Sequence, residues 1–283
     1  MASSILARNN VQVLGTGTRP IMFAHGFGCD QAMWRFVAPA FADRYRVVLF
    51  DYVGAGKSDA SAFDPVRYSA LDGYATDVLE ICEALDLTDV IFVGHSVSAT
   101  VGMLAAVRSP STFSELVLIG PSPCFVNHPP EYAGGFERAD LVGLLDMMDK
   151  NYTGWAGALA PLIVGNPDSP EYAQELEASF CATTPAFAAR FAEATFLSDH
   201  RADVPRVSVP SLIMQCAQDA IAPESVGLWL ASHLPMSTYR ALQATGHCPH
   251  LTHPAETLAV IREYLAQREG AVAEGTTAPV RSA

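Results

Sequence analysis

The chain has 283 residues, half of them hydrophobic, and a formal net charge of −13. A surface of that sign repels phosphate backbones, so no nucleic-acid partner is expected, and a neutral or mainly apolar small substrate fits better than a polyanion. No apolar run is long enough to span a bilayer, and the opening MASSILARNN lacks the basic, apolar and cleavage segments of a secretory signal, so the expectation is a cytoplasmic protein with no membrane partner.

In chain order, PIMFAHG, YRVVLFD, VIFVGHS, LVLIGPS and SLIMQCA are nearly all apolar rather than alternating. That pattern marks strands covered on both faces, as in a parallel sheet. Residues 68–86, 97–108 and 223–234 carry apolar side chains at helical spacing. Alternation of the two predicts an α/β fold, a mostly parallel central sheet flanked by helices, with ligands at the carboxyl ends of the strands. From 122 to 204 the strand signal vanishes. Four helix-like pieces take its place, near 135–150, 153–164, 170–182 and 185–198, punctuated by NPDSP and TTP. They read as a helical cap inserted into a core formed by residues 1–121 and 205–268. Residues 269–283 have no apolar periodicity and are expected to form a disordered tail. The cysteines Cys29, Cys82, Cys124, Cys181, Cys216 and Cys248 are scattered without a C-x-x-C, which reads as thiols in a reducing compartment rather than disulfides.

The chemistry starts at GHSVS, residues 94–98. Ser96 follows an apolar strand and precedes a helix, the context of a nucleophile elbow, with Ser98 where the usual pattern has a second glycine. A serine nucleophile needs a base, and the base needs an orienting acid. In the chain order expected of this architecture, the acid is Asp219, after the strand SLIMQCA. The base is His247, after STYRAL. The loop HGFG, residues 25–28, follows PIMFA and offers the Phe27 amide as one oxyanion donor; the Val97 amide, next to the nucleophile, offers the other. No cofactor is needed. His250 and His253 follow His247 at three-residue steps, but Pro249 and Pro254 break any shared helix, and no metal is expected there. Asp199 and His200 read as a local structural pair. The GAGKS of DYVGAGKS lacks the first glycine of a phosphate-binding loop, since Asp51 stands there.

These segments, with FGCDQAMW, LFDYVGAGKSD, GPSPCF, GWA, FLSDHR, QCAQDAIAP and GHCPHLTHP, resemble the α/β-hydrolase superfamily over nearly the whole chain. More narrowly they resemble the RsbQ-type hydrolases, bacterial relatives of the plant strigolactone and karrikin receptors. The resemblance implies Ser96, His247 and Asp219 as a triad, oxyanion donors at Phe27 and Val97, and a V-shaped four-helix cap over an apolar pocket. Candidate lining residues are Phe27, Phe125, Phe136, Trp155, Phe180 and Phe196. The implied reaction is hydrolysis of a small apolar ester or lactone through an acyl-enzyme, in a bacterial stress-signalling, sigma-factor-regulating role. The implied alternative is a slow-turnover small-molecule receptor acting through a partner such as a PAS-domain phosphatase.

Overall fold

In the computed structural model, which describes residues 2–273, the order of elements places the carboxyl ends of the sheet under a group of inserted helices. The first half contains α1 (Ala2–Arg8), β1 (Gln12–Leu14), β2 (Pro20–Ala24), β3 (Arg46–Leu49), α2 (Leu71–Ala84), β4 (Val90–His95), α3 (Val97–Arg108) and β5 (Phe113–Ile119). Four helices follow, α4 (Arg138–Lys150), α5 (Tyr152–Val164), α6 (Pro170–Ala182) and α7 (Pro185–Phe196). The chain then returns to the sheet with β6 (Ser211–Gln215), α8 (Glu224–His233), β7 (Ser237–Ala241), α9 (Pro249–Thr252) and α10 (Pro254–Ala273).

The seven strands lie in the order β1-β3-β2-β4-β5-β6-β7, with β1 antiparallel to β3 and every other pairing parallel. The chain steps from β2 outward to β3 and then returns to β4 on the other side of β2. The strand order therefore reverses between β2 and β4, where the loops after the two strands diverge and open a crevice.

Each inner strand feeds two apolar layers. Ile91 and Val93 of β4 join the cluster containing Trp34, Phe41, Ile261 and Leu265, while Phe92 joins the cluster under α2, α3 and the inserted helices. With both faces buried there is no polar side to alternate with, hence the unbroken apolar runs. Helix α3 is buried from Val97 to Ala106, which is why it lacks a polar face over that stretch.

The boundaries of the inserted helices have local causes. The Asn151 side chain accepts the Gly154 N–H at 3.1 Å and caps α5, and Gly165 ends that helix in the left-handed conformation. Pro170 and Pro185 occupy the first turns of α6 and α7, where a missing N–H costs nothing.

Two elements depart from expectation. Strand β1 is three exposed residues, too short to show a period. Helix α10 runs to Ala273, past the expected start of a tail at residue 269. Glu269 is held there by ion pairs to Arg19 and Arg44, so the tail cannot begin at that residue. Residues 274–283 lie outside the described residues. Among the described residues all six cysteines are free thiols, with Cys181 exposed and the others buried, and no helix is long and apolar enough to cross a membrane.

Candidate active site

Ser96 sits between β4 and α3 with φ 57° and ψ −121°. A non-glycine residue in that region stores on the order of 1–3 kcal/mol of strain and persists only where its surroundings hold it. The hold is visible. The Ser96 N–H donates to Ile119 O of the neighbouring strand at 2.8 Å, and α3 begins at the next residue. The turn lifts the side chain off the strand end.

Acid and base are brought together by pairing beyond the regular strands. β6 and β7 are parallel neighbours, and an isolated bridge between Gln218 and Thr245 carries their register into the following loops. Asp219 and His247 then emerge side by side, and His247 Nδ1–H donates to Asp219 Oδ2 at 2.7 Å. The other carboxylate oxygen, Oδ1, accepts the N–H groups of Ile221 at 2.8 Å and Ala222 at 3.0 Å. On the far side of the ring, Nε2 accepts the Ser96 hydroxyl at 2.7 Å. To make that contact the imidazole reaches across the end of β5, where Gly120 has φ +55°; a Cβ there would stand 3.0 Å from His247 Cε1. Gly246, with φ +79°, lets the His247 loop press against the end of α5, since a Cβ would fall 1.8 Å from Val164 O. The His247 N–H donates to Ile163 O at 2.7 Å, so the inserted helices help to seat the histidine.

The loop after β2 lies against this elbow: a Cβ built on Gly26 would stand 3.6 Å from Ser96 Cβ. Among the described residues neither the Phe27 nor the Val97 N–H has a hydrogen-bond acceptor. The loop is fastened by groups that carry no motif. Buried Ser98 donates to His25 O and shares a 2.8 Å hydrogen bond with the Tyr52 hydroxyl. The His25 ring accepts the Tyr52 N–H at 3.2 Å through Nε2 and donates to Gly26 O at 2.8 Å through Nδ1. A serine at position 98 is thus more than a tolerated substitute for glycine; it joins the elbow to the loop. His95 donates from Nε2 to His247 O at 2.7 Å and steadies the base.

Ser96, His95 and His247 form part of the floor of a cavity of about 250 Å³. Each inserted helix contributes to its wall, including Leu141 of α4, Leu159 of α5, Leu176 of α6 and Phe196 of α7. Of the six aromatic residues suggested by the sequence, Phe27, Phe136, Phe180 and Phe196 line the cavity, whereas Phe125 and Trp155 do not. Phe125 stands behind Phe196 with ring centroids 5.3 Å apart, and Trp155 behind Phe180 at 5.0 Å. Both are buried in the layer that backs the wall.

The remaining motif residues are placed elsewhere. In DYVGAGKS the anion held by the loop is the chain's own: Asp51 Oδ2 accepts the Lys57 N–H and Oδ1 accepts the Gln31 N–H, each at 2.9 Å. Asp199 pairs with Arg201, and His200 with Asp203, so the two are not partners of each other. His253 is partly exposed and bonded to Thr252, whereas His250 is fully buried against Trp34 and His95.

Burial drives the His250 imidazole down to about 3 and also lowers His25 and His95. The His250 ring therefore stays neutral in the folded protein down to about that value, and it protonates in the unfolded chain. From the ordinary value of 6.5 down to about 3, the unfolded chain takes up a proton that folded His250 does not. Stability is therefore complete above that window and falls as pH drops through it. Replacing His250 with Phe, which can keep the contact with Trp34, is expected to flatten the decline. Thermal melts at neutral and acidic pH check this, and parallel declines of parent and variant would contradict it.

Comparison with known proteins adds family information to this geometry. A model of the alpha/beta hydrolase family matches residues 21–260. The strigolactone esterase RMS3 of Pisum sativum is 41% identical, with 90% of this chain and 96% of that protein covered. The karrikin insensitive 2 receptor CA of Petunia hybrida is 37% identical, with 91% and 95% covered. Among solved structures, a hydrolase from Oleispira antarctica superposes with a TM-score of 0.92 at 45% identity, covering 94% of this chain and 97% of that one.

Proposed function

Since the chain belongs to the alpha/beta hydrolase family and is a hydrolase, we propose that it cleaves a small apolar ester or lactone by nucleophilic catalysis at Ser96. The observation that carries this reading is the unbroken hydrogen-bond chain from Ser96 through His247 to Asp219 at the floor of an apolar cavity. Ser96 Oγ attacks the substrate carbonyl while His247 Nε2 takes its proton. Asp219 holds the Nδ1–H tautomer and offsets the charge of the imidazolium. The oxyanion that forms is received by the Phe27 and Val97 N–H groups; losing such a donor typically costs about 3 kcal/mol of transition-state stabilisation. His247 returns the proton to the leaving alkoxide, then activates the water that frees the acyl group. The cavity, about 250 Å³, falls below the roughly 300–1,000 Å³ common for ligand pockets, so the substrate is small.

A second reading makes the same site a receptor that turns over slowly. It draws on the likeness to the karrikin insensitive 2 receptor and on a cavity to which all four inserted helices contribute. In that reading a partner, such as the PAS-domain phosphatase of a stress-signalling pathway, would meet the liganded form. The time course of p-nitrophenol release from p-nitrophenyl acetate separates the two. The hydrolase reading predicts steady release of many equivalents per chain. One rapid equivalent followed by near arrest favours the receptor, and no release at all contradicts both.

A further inference from the structure

The segment entering the inserted helices and the segment leaving them run side by side, with Cys124 and Asp199 paired as an antiparallel bridge. His128 and Tyr132 exchange backbone hydrogen bonds of 2.8 and 3.0 Å, which close a turn above that bridge. Three side chains of different chemistry converge there: the Cys124 sulfur, a His128 ring nitrogen and an Asp199 carboxylate oxygen, all within 4.8 Å of one another. His128 Nε2 lies 3.7 Å from Cys124 Sγ and 3.9 Å from Asp199 Oδ2.

This arrangement is not a second proton relay. A relay places nucleophile and acid on opposite ring nitrogens, as around His247, whereas here both face the same nitrogen. The 3.9 Å separation is also too long for a hydrogen bond. A point equidistant from three atoms so spaced lies roughly 2.0–2.5 Å from each, which brackets zinc–sulfur, zinc–nitrogen and zinc–oxygen bond lengths. We propose that Cys124, His128 and Asp199 bind one divalent transition-metal ion, zinc being the best match, and that the ion ties together the two segments that join α4–α7 to the sheet.

The donor set points to zinc, because a thiolate disfavours magnesium and calcium while imidazole and carboxylate both suit zinc. Cys124 is buried, but the His128 and Asp199 side chains are 43% and 41% exposed, so an ion can enter from solvent and keep a water as its fourth ligand. Arg201 grips Asp199 through Nε on Oδ1 at 2.9 Å and Nη2 on Oδ2 at 2.6 Å, fixing its orientation. Its positive charge opposes the ion, so micromolar rather than much tighter affinity is expected. Binding releases the Cys124 thiol proton to solvent as the sulfur–metal bond forms. The two nearer ligands are four positions apart and the third is about seventy residues on, so no sequence spacing reveals the set.

The test is titration of the full chain with Zn²⁺ against a chelating dye, and with Co²⁺ as a spectroscopic probe. One zinc per chain in the micromolar range is expected, with a thiolate-to-cobalt charge-transfer band and a higher melting temperature with metal. His128→Asn alters a partly exposed side chain and should fold normally, yet weaken zinc binding by at least about tenfold. Cys124→Ser should remove the charge-transfer band. Absence of binding at submillimolar zinc, a cobalt complex without that band, or equal affinity in the parent and a folded His128→Asn variant would each overturn the proposal.

Discussion

Ser96→Ala and His247→Ala are each expected to lower kcat for p-nitrophenyl acetate by about 10³-fold or more, with little change in melting temperature. The size follows from the loss of the nucleophile or of the base that activates it, while the oxyanion donors and the cavity remain. The two groups act as a unit through a 2.7 Å hydrogen bond, so the double variant should be scarcely worse than either single one. A folded Ser96→Ala protein with parental activity would remove Ser96 from the mechanism.

Asp219→Asn is expected to be comparably damaging, by roughly 10³–10⁴-fold in kcat, for a reason visible in the bonds around it. Oδ1 accepts two backbone N–H groups, from Ile221 and Ala222. An asparagine must leave its carbonyl oxygen there and turn its NH₂ towards His247 Nδ1. The imidazole then takes the opposite tautomer, with its proton on Nε2 facing Ser96, and cannot accept the serine proton. Asp199→Asn and Asp203→Asn should change kcat only slightly when metal is excluded with a chelator, because those carboxylates pair with Arg201 and Arg206. If Asp199→Asn were far more harmful than Asp219→Asn, with both proteins folded, the acid would be misassigned.

Much of this was legible in the sequence because its signals are local. Strands such as VIFVGH are apolar on both faces, and the inserted helices carry their own starts in Pro170 and Pro185 and a stop in Gly165. Ser96, Asp219 and His247 could be proposed because each lies in the loop after a strand, and the sheet order brings those loops to one edge. What escaped depends on contacts between distant segments. Nothing near Tyr52 or His25 says that Ser98 will bridge them. Trp155 and Phe125 are as aromatic as Phe180 and Phe196, and sequence cannot tell the layer facing a cavity from the layer behind it. Glu269 lies in an unpatterned stretch yet is held by Arg19 and Arg44, from the other end of the chain.

Covalent capture shows directly whether Ser96 is the residue that becomes acylated. Incubating the full chain with an irreversible serine reagent such as phenylmethylsulfonyl fluoride, followed by intact-mass and peptide mass spectrometry, locates the reactive oxygen. One adduct per chain is expected, on the peptide containing Ser96, formed far more slowly when His247 is alanine. An adduct on another residue, or equal labelling of a folded Ser96→Ala protein, would contradict it.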